Sequence, residues 1–231
     1  MKDSIADPRD MPRYSVPEVA AYVRVKPRTL STWIRGRSYP AAEGAKESPA
    51  VIVRPSDQDP RLSYNNLVEA YVLNVLRRHM GIRMADVRRG LQYVEETFDI
   101  PRFLLSDKLR VRRGNLIIQA LGQYINVGAG GQAEIPEVVM EYLRRIQYEK
   151  GFPVGLFPVT RPEHPTGPQR IVILPDVGFG KPVTTRQHIS TAVIASRFGA
   201  GESVEELADD YQLEALDVEE AIRTERLQLA A

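Results

Sequence analysis

Ser15-Val-Pro-Glu-Val-Ala-Ala-Tyr-Val-Arg-Val-Lys-Pro-Arg-Thr-Leu-Ser-Thr-Trp-Ile34 is the stretch on which the reading of the fold turns. Ser15 and Glu18 stand at capping-box spacing, each able to satisfy the other's backbone N–H, and Pro17 suits a first helical turn. Val16, Val19, Ala20 and Val23 then recur on one helical face. Arg24-Val-Lys26 breaks the pattern, and Pro27 opens a second helix with Leu30, Trp33 and Ile34 inward. Its outer face carries Arg28, Thr29, Thr32 and Arg35, with Lys26 before it and Arg37 beyond Gly36. Long donors and short hydroxyls on one face are the side chains that reach phosphates and base edges. The alternative is a helical hairpin with a solvated basic face.

The rest of the chain divides by charge. Residues 1–113 hold 21 Lys/Arg against 14 Asp/Glu, whereas residues 201–231 hold 2 against 10. A basic segment is drawn to phosphate and an acidic one repelled, so the two ends are expected to grip different partners, nucleic acid and protein. With no cysteine, disulfides, thiolate metal sites and cysteine nucleophiles are excluded, and a reducing cytoplasm fits. His79, His164 and His188 are far apart in sequence and make no zinc motif. No cofactor, metal or catalytic residue is expected, and no nucleophile–base pair stands at a recognisable spacing, so the chain reads as a non-enzyme. No run of 18 apolar residues predicts a membrane span, and Met1 to Asp10 lacks the apolar core of a secretory signal.

Outward from the helix pair, Ser38 to Pro60 reads as a β wing around Val51-Ile-Val53, with Arg35, Arg37, Lys46 and Arg54 as phosphate anchors. Ser63 caps a long helix to about His79, apolar on nearly its whole circumference, which its own domain or a second copy of the chain could cover. Met84 to Phe98 is a further helix. Short strands are expected at 109–111, 115–119 and 124–127, then Gly128-Ala-Gly-Gly131 and a helix from Ile135 to Gln147. Two more strands, Phe152 to Val159 and Arg170 to Leu174, flank a proline-rich link, Arg161 to Pro168, read as a domain boundary. At the acidic end, helices are expected at His188 to Phe198, from a Ser203/Glu206 capping box, and from Asp217. Glu202, Glu205, Glu206, Asp209, Asp210, Glu214, Glu219 and Glu220 fall on their outer faces.

Two resemblances follow. Tyr14-Ser-Val-Pro-Glu-Val-Ala20 with Val25-Lys-Pro-Arg-Thr-Leu-Ser-Thr-Trp33 resembles the winged-helix start of MerR-like regulators, with Arg24 in place of the usual turn glycine and Lys26 in place of the usual Ser/Thr cap. Val177 to Thr224 resembles a small winged-helix family of unknown function. The match is carried by Gly180-Lys-Pro-Val183, Ile189-Ser-Thr191, Ala200-Gly-Glu-Ser203 and Glu206-Leu-Ala-Asp-Asp-Tyr211. Leu62-Ser-Tyr64 to Ala70 and Tyr124-Ile-Asn126 resemble full-length members with a MerR-like front end. Such domains recur in VapB-type antitoxins, encoded beside toxins with a PIN ribonuclease fold.

The resemblance implies an α+β chain in three parts. Residues 12–106 form a MerR-like winged helix-turn-helix binding operator DNA through Lys26, Arg28, Thr29, Thr32, Arg35, Arg37 and Arg54. Residues 107–168 form a small mixed α/β middle segment, a candidate dimer core. Residues 169–231 form an acidic helix-turn-helix bundle that holds the toxin; independently of the resemblance, its charge calls for a basic partner face, with an apolar anchor expected among Phe198, Tyr211 and Leu213 and one of its two cations, Arg223 or Arg226, expected to meet the toxin's metal-binding carboxylates. The implied function is an antitoxin that neutralises a PIN-type ribonuclease from a neighbouring gene and represses its own operon as a homodimer. The alternative is a stand-alone MerR-like regulator.

Overall fold

The computed structural model describes residues 7–41, 44–107, 136–161 and 166–229. The strands and Gly-rich turn expected between 109 and 131 lie outside these residues. The described chain is α+β: eight helices and a four-stranded antiparallel sheet, with a separate two-stranded hairpin.

Helix α1 (Val16–Val23) opens on the expected capping box, Glu18 N donating to Ser15 Oγ at 3.3 Å. It stops at Arg24, which takes a left-handed φ of 59°. That conformation costs an L-residue about 1–2 kcal/mol. The turn is tied down by Arg24 N–H bonding back into the last turn of α1 and by Asn74 Nδ2 donating to Val23 O at 2.8 Å. Helix α2 (Pro27–Arg35) buries Leu30, Trp33 and Ile34, and its N-cap Lys26 makes no side-chain cap. Gly36 follows at φ 74°, where a Cβ would collide with the Ser48 carbonyl. A hairpin, β1 (Arg37–Ala41) with β2 (Gly44–Ser48), comes next. The hairpin is therefore earlier than the apolar triplet expected to form it. Val51 and Ile52 are not strand; their N–H groups donate to Trp33 O at 2.7 and 3.1 Å, fastening the returning chain to the end of α2.

Helix α3 (Tyr64–Met80) is the centre of the main core. Tyr64 to Leu73, with Val75 and Leu76, are buried by the chain's own elements. The long apolar helix is thus covered within one chain, and a second copy is not needed to cover it. Helix α4 (Met84–Phe98) packs Val87 and Val94 inward, and Phe103–Leu105 forms a 3-10 turn against α3. Arg83 and Arg89 pair with buried Asp86, and Arg88 donates to Pro49 O.

Helix α5 (Glu137–Leu143) is shorter than expected, because the chain passes directly into strand β3 (Ile146–Glu149). Lys150 and Gly151, both at positive φ, turn it into β4 (Phe152–Leu156), as two-residue hairpins favour. After the proline-rich link come β5 (Ile171–Ile173) and β6 (Pro182–Thr184), in sheet order β3-β4-β5-β6. One sheet therefore bridges the link read as a boundary. Buried Arg145 secures it, donating to the carbonyls of Phe157 (2.9 Å), Pro158 (2.9 Å), Gly167 (3.1 Å) and Pro168 (3.4 Å).

The last three helices are α6 (Thr191–Gly199), α7 (Val204–Tyr211) and α8 (Ala215–Leu229), around a second core of Ile171, Ile194, Leu207, Val218 and Ala221. Helix α6 begins after the expected His188, since Gln187 and His188 are left-handed and form a turn. Helix α8 begins two residues before Asp217. Asp217 is buried at the third position of its first turn, where it caps the helix from within, accepting from Glu214 N at 3.0 Å. Among the described residues no helix is long and apolar enough to cross a membrane.

Candidate nucleic-acid and partner surfaces

The two charged ends meet along the start of α1. Tyr14 is fully buried, and its hydroxyl donates to Gly180 O at 2.8 Å. Arg13 donates to Pro175 O, and Lys181 pairs with Glu18. Glu18 also accepts from the Tyr22 hydroxyl at 3.0 Å, so the residue that caps α1 ties it to the turn before β6. Burial pushes the Tyr14 and Tyr22 hydroxyls well above the ordinary tyrosine range. On the far side of α1, Ala21, Tyr22 and Arg24 face Thr224, Leu227 and Gln228 of α8 across a small gap. The sequence patterns around Tyr14 and Gly180 were each visible. Their partnership was not, because no local spacing encodes it.

The structure places Lys26, Arg28, Arg35 and Arg37 on the exposed side of α2 and its flanks, none in an ion pair with a described residue. Thr29 and Thr32 are half-buried, and Thr32 Oγ1 is spent on Thr29 O at 2.7 Å. Lys26 makes no side-chain cap; Pro27 has no N–H to give, and the Thr29 and Leu30 N–H groups are taken by Lys26 O at 2.8 and 3.2 Å. Arg54 is set apart from this group. It lines a cavity with Glu69, Glu95 and Arg102. The side chain of Lys46 lies outside what the structure describes.

The acidic end is less open than its composition suggests. Arg197 pairs with Glu202 and Asp210, Arg170 with Glu214 and Asp217, and Arg186 with Glu214. Glu206 accepts from Ser203 N as a cap at 2.8 Å. Glu220, expected on the outer face, is 1% exposed and takes Arg161 at 2.5 Å. Glu205, Asp209 and Glu219 are the exposed carboxylates here with neither an ion pair nor a side-chain hydrogen bond to a described residue.

The expected anchors have also been drawn inward. Leu213 belongs to the second core, and Phe198 and Tyr211 pack against it beneath Arg226 and Arg197. Among the described residues, the large apolar side chain left outside on α8 is Leu216, 47% exposed. Leu216, Glu219, Arg223 and Arg226 share one helical face by their spacing. Arg223 also lies 3.4 Å from Glu220. Among the described residues no three His, Asp or Glu side chains gather to hold a metal.

Residues 171–223 match a family described as Protein of unknown function (DUF433). That span covers β5, β6, α6, α7 and half of α8. Over 222 residues, 87% of this chain and 89% of the relative, the sequence is 28% identical to "Putative antitoxin VapB45" of Mycobacterium tuberculosis (strain ATCC 25618 / H37Rv). The crystal structure of Rv2018 from Mycobacterium tuberculosis shares the fold, with a TM-score of 0.69, 24% identity, and coverage of 92% of this chain and 98% of that one. The chain is thus similar, along nearly its whole length, to a protein named as an antitoxin.

Proposed function

We propose that this chain is the antitoxin of a type II toxin–antitoxin module. In this reading α1 and α2 act as a helix-turn-helix with the β1–β2 hairpin as its wing, binding operator DNA and repressing the operon. The surface of α7 and α8 holds a PIN-type ribonuclease encoded by a neighbouring gene. The protein works in the cytoplasm as a homodimer, with a contact other than α3. The observation that carries the reading is the full-length similarity to "Putative antitoxin VapB45".

The surface chemistry agrees with it. Arg28 and Arg35 are exposed on α2, long cationic donors of the kind that reach phosphates and guanine edges. Leu216 and Glu219 share an exposed face of α8, and Glu205 and Asp209 are exposed on α7, apolar and acidic groups that suit a basic protein face. The test is co-expression with the product of the adjacent reading frame, followed by co-purification, ribonuclease assay and gel shift on the upstream DNA. A stable complex with suppressed ribonuclease activity and a specific shift supports the proposal. A chain that neither associates with the neighbour nor shifts the DNA overturns it.

A further inference from the structure

A cavity of about 480 Å³ opens between the segment after the hairpin, α3, α4 and the Phe103–Leu105 turn. Its size falls within the range of small-molecule sites. Val51, Leu91, Phe103 and Leu104 supply apolar wall. Three of its charges, buried Glu69 and the more exposed Arg102 and Asp10, are already matched. Arg102 gives Nε to Glu69 Oε1 at 2.9 Å and a terminal nitrogen to Asp10 Oδ1 at 2.8 Å. Asn66 Nδ2 gives to Glu69 Oε2 at 2.9 Å. Two charges on the wall have no such match: Arg54 and Glu95, whose side chains make no hydrogen bond or salt bridge with a described residue.

A half-open, partly apolar cavity whose wall carries one cation and one anion with no hydrogen bond or salt bridge to a described residue is complementary to a molecule carrying both charges. A simple carboxylate would leave Glu95 facing it, and a simple amine would leave Arg54. We propose that this cavity binds a small zwitterion with an apolar body, of the amino-acid or dipeptide class, its carboxylate on Arg54 and its ammonium on Glu95. Charge-assisted hydrogen bonds at both ends fix its direction, and the apolar wall selects its side chain. The site does not depend on the DNA or toxin reading, and its test uses neither.

The full chain is titrated calorimetrically with phenylalanine and leucyl-phenylalanine, each also as its N-acetyl and C-terminal amide derivative. At least one free zwitterion should bind at submillimolar concentration, and both of its blocked forms about tenfold more weakly or worse. Arg54→Gln should erase the preference over the amide, and Glu95→Gln the preference over the N-acetyl form, with thermal melts confirming that both variants fold. Absence of heat with every probe at millimolar concentration overturns the proposal. So do blocked forms that bind as well as the free ones, or preferences unchanged in the two variants.

Discussion

The Tyr14 hydroxyl and the Gly180 carbonyl, 166 positions apart in sequence, form a buried hydrogen bond that joins the first residues of the helix pair to the acidic module. The neighbouring carbonyl of Leu62 receives Tyr14 N–H at 2.9 Å, so the tyrosine is held at both ends. Tyr14→Phe removes the donor and leaves the Gly180 carbonyl buried. A loss of about 1–3 kcal/mol is expected. Gly180→Ala should cost more, since Gly180 sits at φ 75° and an added Cβ would run into the same hydroxyl. Urea unfolding of the three chains checks the order. A Gly180→Ala variant as stable as the wild type would show that this contact is not formed.

What could be read from the sequence was local. The Ser15–Glu18 and Ser203–Glu206 boxes follow from short-range spacing and appear where expected, and the left-handed Arg24 and uncapped Lys26 stand where the MerR-like resemblance has a turn glycine and a Ser/Thr cap. What failed was the assignment of exposure. Glu220 lies on a helix whose spacing allows either side to be buried, and Leu213 in the connection between α7 and α8; Arg161 and the second core decide their burial. Arg145 gave no signal at all. A lone arginine reads as a surface residue until the link it stitches is folded over it.

Stability should carry a signature of Glu69. Burial raises its carboxyl above the ordinary 4.5, against the opposing pull of Arg102 and Asn66. A raised folded-state value means that the protonated form is favoured by folding. The stability this contributes is complete below the ordinary glutamate range and is lost as pH rises through the folded-state value. Comparing wild type with Glu69→Gln by urea unfolding, from below 4.5 to neutrality, the balance should shift against the wild type as pH rises. A flat difference, or one that shifts the other way, would mean that the Arg102 pair outweighs burial.

Operator binding, if α2 is the reading element, should be sensitive to two arginines that are spent on nothing else in the described chain. Arg28→Ala and Arg35→Ala should each weaken specific binding by about 1–3 kcal/mol where they meet base edges. Lys26→Ala should instead weaken all sequences alike and reduce the salt slope by about one. Fluorescence anisotropy over a salt series separates the two behaviours. Retention of full affinity after loss of both arginines would remove α2 from the interface.

Toxin binding is best probed by surface substitution, because a chain ending at Pro168 would lose β5 and β6 from the sheet and the Gly180 acceptor of buried Tyr14. Such a truncation would unfold the helix pair along with the module it was meant to remove. Leu216 and Glu219 are exposed on α8, and neither supports the core beneath them. Leu216→Asp places a charge on the apolar part of the proposed face and should cost at least about 2 kcal/mol of affinity, the scale of a hot-spot loss. Glu219→Lys should act chiefly on the association rate and on its salt dependence. Arg28→Ala, placed on the DNA side, should bind the toxin as the wild type does. Surface plasmon resonance against the neighbouring ribonuclease, with operator binding measured on the same variants, tests this division of labour. Unchanged toxin kinetics in both α8 variants would move the toxin to another face of the molecule.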